Sequence, residues 1–98
     1  MNRNEILEAA KATVAKRGEA YGDAKENFER VAALWSYILD YHVEVHHVPS
    51  MMIALKLARL TNDPAHRDSM IDIAGYAALW SECVDGSNIV NYEEYTSE

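Results

Sequence analysis

Cysteine is almost missing from the 98 residues: Cys83 stands alone. An internal disulfide is therefore excluded, and a reducing compartment fits. Cation is the second shortage, with nine Lys and Arg against sixteen Asp and Glu and a formal net charge of −7. A general nucleic-acid binder needs a basic footprint, so the charge argues against that class, although not against a local cationic pocket. No run approaches the roughly 18 apolar residues of a membrane span, and no apolar signal-peptide stretch opens the sequence. The expected location is the cytoplasm. Chemistry-bearing motifs are scarce too: there is no Gly-rich phosphate loop, no HExxH, no paired CxxC and no evident nucleophile–base arrangement. Repeats and low-complexity tracts are also lacking.

What is present suits one small globular domain, with 49% hydrophobic and 26% charged residues. The expected fold class is all-α: a four-helix, bundle-like domain over residues 1–86, completed by oligomerisation, with an acidic tail over 87–98 that carries Tyr92 and Tyr95. Asn4 reads as the N-cap of a first helix over 5–17, with an apolar stripe of Ile6, Leu7, Ala10, Val14 and Ala15. Gly18 fits the left-handed position after it. Asp23 followed by Glu26 matches a capping box for a second helix that runs to about Asp40. Phe28, Val31, Ala32, Trp35, Ile38 and Leu39 recur there at helical spacing. Tyr41 to His47 reads as a loop, which argues against His42, His46 and His47 forming a metal site. Pro49 fits the first turn of a third helix with Val48, Met51, Met52, Leu55 and Ala58 on its apolar face. Asp63 before Pro64 predicts the start of a fourth helix, ending at Gly86. Met70, Ile71, Ile73, Ala74, Ala77, Ala78, Leu79, Trp80 and Val84 make that helix apolar on nearly all sides. Such a helix is central or buried in an oligomer. Gly75 within it implies close approach of a helix or ligand.

The stretch from Lys56 to Tyr76 holds the candidate site. Asp72 sits among Met70, Ile71, Ile73 and Ala74, where a carboxylate needs a paired charge or a bound cation. Two constellations follow. Glu26 and Glu29 on the second helix, with Asp68 and Asp72 on the fourth, form a candidate oxygen-ligand set for Mg²⁺ if the helices lie side by side. The alternatives are a capping role for Glu26, a pairing of Glu29 with Lys25, and a helix-dipole role for Asp68. Lys56, Arg59 and Arg67, with Arg17, form a candidate phosphate site beside the N-terminus of the fourth helix. The alternative is internal pairing of Lys56 and Arg59 with Asp63, Asp68 or Asp72. Tyr21 and Tyr76 are the candidates for stacking on a base. Trp35 and Cys83 read as core.

The segments RGEAYGDAKENFERVAALW (17–35), MMIALKLARL (51–60) and HRDSMIDIAGYAALW (66–80) together resemble a family of small bacteriophage and prophage proteins of unassigned role. More distantly the chain is similar to MazG-like, all-α nucleotide pyrophosphohydrolases. Those carry EExxE on one helix and ExxD on a later one, together holding Mg²⁺. Here Lys25-Glu26-Asn27-Phe28-Glu29 keeps two of the three glutamates. Asp72 stands for the final Asp, with Ser69 at the place of the Glu before it. The resemblance implies a helical bundle, dimeric or larger, with a nucleotide site between helices. The expected function is binding of a phosphorylated nucleotide, sequestering a nucleotide pool or a nucleotide-derived immune signal of the host without turnover. The rivals are Mg²⁺-dependent pyrophosphohydrolysis of a nucleoside triphosphate, and protein-binding inhibition of a host enzyme.

Overall fold

The computed structural model describes residues 1–84, all four of whose regular elements are α-helices. They are α1 (Arg3–Tyr21), α2 (Ala24–Leu39), α3 (His47–Asn62) and α4 (Arg67–Cys83). The expected ends at Gly86 and the tail over 87–98 lie outside the described residues.

The first helix starts and stops elsewhere than expected. Asn2, not Asn4, caps it, its side chain accepting the Glu5 N–H at 2.9 Å. Gly18 stays helical, and Gly22 takes the positive φ of 77°, its N–H donating to the Gly18 carbonyl at 2.9 Å. Two glycines four residues apart offer the same stop signal, and the chain turns at the second. At α2 one half of the expected capping box is found: the Asp23 carboxylate accepts the Glu26 N–H at 3.1 Å. Asp40 closes that helix in the left-handed conformation, one that Asp tolerates better than most residues.

The 40–46 connection is a loop pinned by Ser36, whose hydroxyl donates to the Ala32 carbonyl at 2.7 Å and accepts the Val43 N–H at 2.8 Å. Val43 is thereby buried with Phe28, Ala32, Val48 and Cys83, and Trp35, Tyr76 and Leu79 pack around them. Pro49 lies in the first turn of α3, as expected.

Asp63 and Pro64 do not open α4. Asp63 follows the last residue of α3, its N–H donating to the Arg59 carbonyl, and its side chain accepts the Ala65 N–H at 3.2 Å. Asp-Pro is turn chemistry as much as helix-start chemistry, and here it makes the turn. His66 is the N-cap, its ring accepting the Ser69 N–H at 3.3 Å.

Helix α4 is central, touching all three others. Its closest neighbour at Gly75 is Val14 of α1, whose Cγ2 would lie 3.3 Å from a Cβ added there. The glycine is thus explained by helix approach. Met70 of α4 stays partly open at 37%, and most of the exposed apolar surface lies elsewhere. Ile38 and Leu39, expected on the inner stripe of α2, point to solvent, as do Leu7 on α1 and Met51 and Leu55 on α3.

Candidate functional site

Helix α4 carries Asp72 into the space between α1 and α3. Its side chain is 12% exposed and meets two cations, Lys56 Nζ at 3.1 Å and Arg17 Nη2 at 3.2 Å. Lys56 comes from α3 and Arg17 from the last turns of α1, so one carboxylate ties three helices. Two cations on one anion leave a local positive excess on Arg17, the more exposed of the pair at 46%. Of the expected partners of Asp72, Lys56 is there. Arg59 is not: it lies one turn further along α3, with Nη2 3.3 Å from His66 Nε2. His66 Nδ1 lies 2.7 Å from the Ser69 hydroxyl and 3.3 Å from its backbone N, which leaves Nε2 to face Arg59. Arg59 and His66 lie side by side in a shallow hollow with Leu55, Ala58, Asn62 and Asp63.

Arg17 opens onto a larger groove of about 610 Å³ where α1 ends and α2 begins, with α4 as its floor. Tyr21, Asn27, Tyr76 and Glu82 line it with Gly18 and Gly22. The bend at Gly22 makes the groove, because it turns the chain at the end of α1 and presents the first turn of α2 to it. Backbone N–H groups and the positive end of the helix dipole favour an anion there. Asp23 works against that, though its carboxylate is engaged by the Glu26 N–H. The Tyr76 ring is set against Phe28, ring centroids 6.4 Å apart, whereas Tyr21 is largely exposed at the rim.

The sequence-derived phosphate residues thus divide. Arg17, Tyr21 and Tyr76 line one groove, Lys56 backs it through Asp72, Arg59 faces a separate hollow, and Arg67 is exposed at the first turn of α4. The candidate metal residues divide too. Glu26, Glu29 and Asp68 are exposed while Asp72 is held by its cations, and among the described residues no three His, Cys, Asp or Glu side chains group so as to hold a metal ion. Glu29 lines another hollow, with Ser36, His42, Glu44, His46 and Cys83. The Cys83 thiol is pushed up from its ordinary value by burial, then by the nearby Glu82 carboxylate.

Sequence reasoning missed Asn27, Glu82 and His66. Asn27 and Glu82 give no signal without the helix packing. His66 does, as a side-chain acceptor three residues before Ser69 at the start of an apolar helix.

A family model described as a domain of unknown function, DUF6378, matches residues 5–84. The chain belongs to that family. It is 43% identical over 76 residues to the Gene 55 protein of Mycobacterium phage L5, covering 76% of this chain and 49% of that one. To the Gene 55 protein of Mycobacterium phage D29 it is 34% identical over 90 residues, covering 88% of this chain and 60% of that one. The chain therefore spans about half to three fifths of the length of these phage relatives. No solved structure matches it. Among the described residues, no helix is long and apolar enough to cross a membrane.

Proposed function

We propose that this DUF6378 chain binds a phosphorylated nucleotide in the groove between α1, α2 and α4, as a homo-oligomer, and retains it without turnover. The observation that carries the reading is the convergence in one groove of a cation with charge to spare, Arg17, and two tyrosines, Tyr21 and Tyr76. Arg17 and the first turn of α2 take a phosphate. Tyr21, at the open rim, offers a stacking face to the base. Asn27 and Glu82 accept hydrogen bonds, which suits a base with an exocyclic amino group. Asp23 and Glu82 hold down the positive potential, so few phosphates fit better than a long polyphosphate chain. The phage setting of the relatives supports sequestration, in the cytoplasm of an infected host, of a nucleotide pool or a nucleotide-derived immune signal.

A MazG-like hydrolase would need Mg²⁺ at Glu26, Glu29, Asp68 and Asp72. The side chains of one chain do not come together for that, so no hydrolytic step is derived. Calorimetry and native mass spectrometry against a panel of mononucleotides, cyclic and linear dinucleotides and triphosphates test the proposal. The expected result is stoichiometric retention of an intact ligand. Arg17→Gln is expected to weaken it by about 1.5–3 kcal/mol, the range for charged hydrogen bonds, while Arg59→Ala changes it little. Mg²⁺-dependent loss of triphosphate restores the hydrolase. Neither retention nor loss with any nucleotide refutes the reading and leaves the protein-binding inhibitor.

A further inference from the structure

We infer that a second copy of this chain docks on the outer face of α2, through Leu34, Tyr37, Ile38 and the adjoining Tyr41. This deepens the self-association part of the proposed function and is independent of the ligand. These four side chains are 62%, 87%, 74% and 77% exposed. Leu34, Tyr37 and Ile38 follow at i, i+3 and i+4, which puts them on one helix face. Leu34 and Tyr37 lie on the side of α2 away from Phe28 and Ala32, the residues it buries against its own chain, and Ile38 lies on the flank between, one turn past Trp35. Tyr41 extends it just past the helix end. Exposed aromatic and aliphatic side chains clustered so tightly mark an interaction surface rather than ordinary scatter.

Charge selects the occupant. No Asp, Glu, Lys or Arg occurs between Arg30 and Asp40, in a chain whose net charge is −7. Two copies of an acidic chain repel over most pairs of surfaces, and an uncharged face lets them meet without opposing carboxylates. A membrane is a poorer occupant. An interfacial helix pairs its apolar face with a Lys- and Arg-rich polar one, and α2 supplies only Lys25 and Arg30. Area agrees with a second copy. The exposed parts of these four residues amount to roughly 600 Å² per copy, about three quarters of the ~800 Å² per partner of a standard specific interface. A two-fold axis across the patch sets the same residues against each other, as closed dimers require.

Sedimentation equilibrium of the full chain at micromolar concentration tests this, with far-UV circular dichroism as the check on folding. The wild type is expected to be dimeric or a multiple of a dimer. Ile38→Glu puts two carboxylates across the axis and is expected to weaken association at least about 100-fold with helical content retained. Tyr37→Lys serves the same purpose if Ile38→Glu does not fold. Leu57→Glu, at another exposed apolar position on α3, is expected to leave association intact. A monomeric wild type, including one whose own residues 85–98 cover the face, removes self-association altogether. A dimer that survives both α2 variants, or that Leu57→Glu dissociates equally, removes only the assignment to α2 and leaves the rest of the proposed function standing.

Discussion

Replacing Asp72 by Asn keeps the shape of the side chain and removes the one anion shared by Arg17 and Lys56. At separations of 3.1 and 3.2 Å and an effective dielectric constant of about 20, each pair attracts by about 5 kcal/mol before desolvation is counted. Most of that is offset by taking Asp72 out of water. The Arg17 arm, nearly half exposed, contributes about 0–1 kcal/mol net. The larger loss lies with Lys56, 20% exposed, which the variant leaves with its charge partly buried and uncompensated. Loss of a partner for such a group costs about 1–3 kcal/mol, so Asp72→Asn is expected to lower stability by about 2–3 kcal/mol. For a domain of this size that is a fall of roughly 10–20 °C in Tm. Nucleotide binding is expected to persist or tighten in the surviving folded protein, because Arg17 is then fully available to phosphate. Differential scanning calorimetry and titration calorimetry on the same preparation read both numbers. A Tm unchanged within about 2 °C would show that the carboxylate is not structurally paired. Binding that strictly needs Mg²⁺ in the wild type and vanishes in Asp72→Asn would refute the binder and assign Asp72 to a metal.

Three further outcomes follow from the geometry. Gly18→Ala is expected to stabilise by about 1 kcal/mol, since Gly18 is helical with open space around its Cα, whereas Gly22→Ala destabilises by about 1 kcal/mol or more through its positive φ. Urea midpoints of opposite sign check that pair, and equal signs would mean the turn is not at Gly22. Gly75→Leu places its side chain into Val14 and is expected to push α1 off α4 at a cost of about 1–3 kcal/mol or more, read as faster amide exchange in α1. Cys83, its thiol pushed up by burial, stays protonated in the folded chain at pH values where the unfolded thiol ionises. Its contribution to stability is complete below the ordinary value of 9.0 and is lost as pH rises above it, and native alkylation should be slower than alkylation in urea. A native rate equal to the unfolded rate would place the thiol at the surface.

Parts of this molecule were written locally and parts were not. The cap of α2 depends on Asp23 and on the Glu26 N–H three residues later, so the sequence carries it, though the return bond from the Glu26 side chain that completes a capping box is not among the contacts of the cap. The sequence also carries the place of Pro49, where a fixed φ and a missing N–H suit only the first turn. The Asp63-Pro64 pair is different, because the same two residues serve an Asx turn or a helix start. The choice was made downstream by His66, whose ring accepts the N–H of a Ser69 that is buried against the rest of the fold. The pairing of Asp72 is harder still. Its apolar neighbours demand a compensating charge, and that demand is legible. Which cation answers is a matter of how α1 and α3 lie on α4, and Arg17 arrives from 55 residues away.

The reading of self-association shows the same division. An α4 apolar on nearly all sides needs partners on nearly all sides, and α1, α2 and α3 of one chain cover much of it, leaving Met70, Ala77 and Ala78 exposed. The argument for a second copy therefore passes to α2. There, Ile38 and Leu39 satisfy the 3.6-residue period of the inner stripe as it is read along the chain, yet stand in solvent once the helix closes at Asp40. A periodic pattern says which residues share a face. It does not say where the body of the protein ends beneath that face, and beyond that edge Ile38 and Leu39 are left exposed.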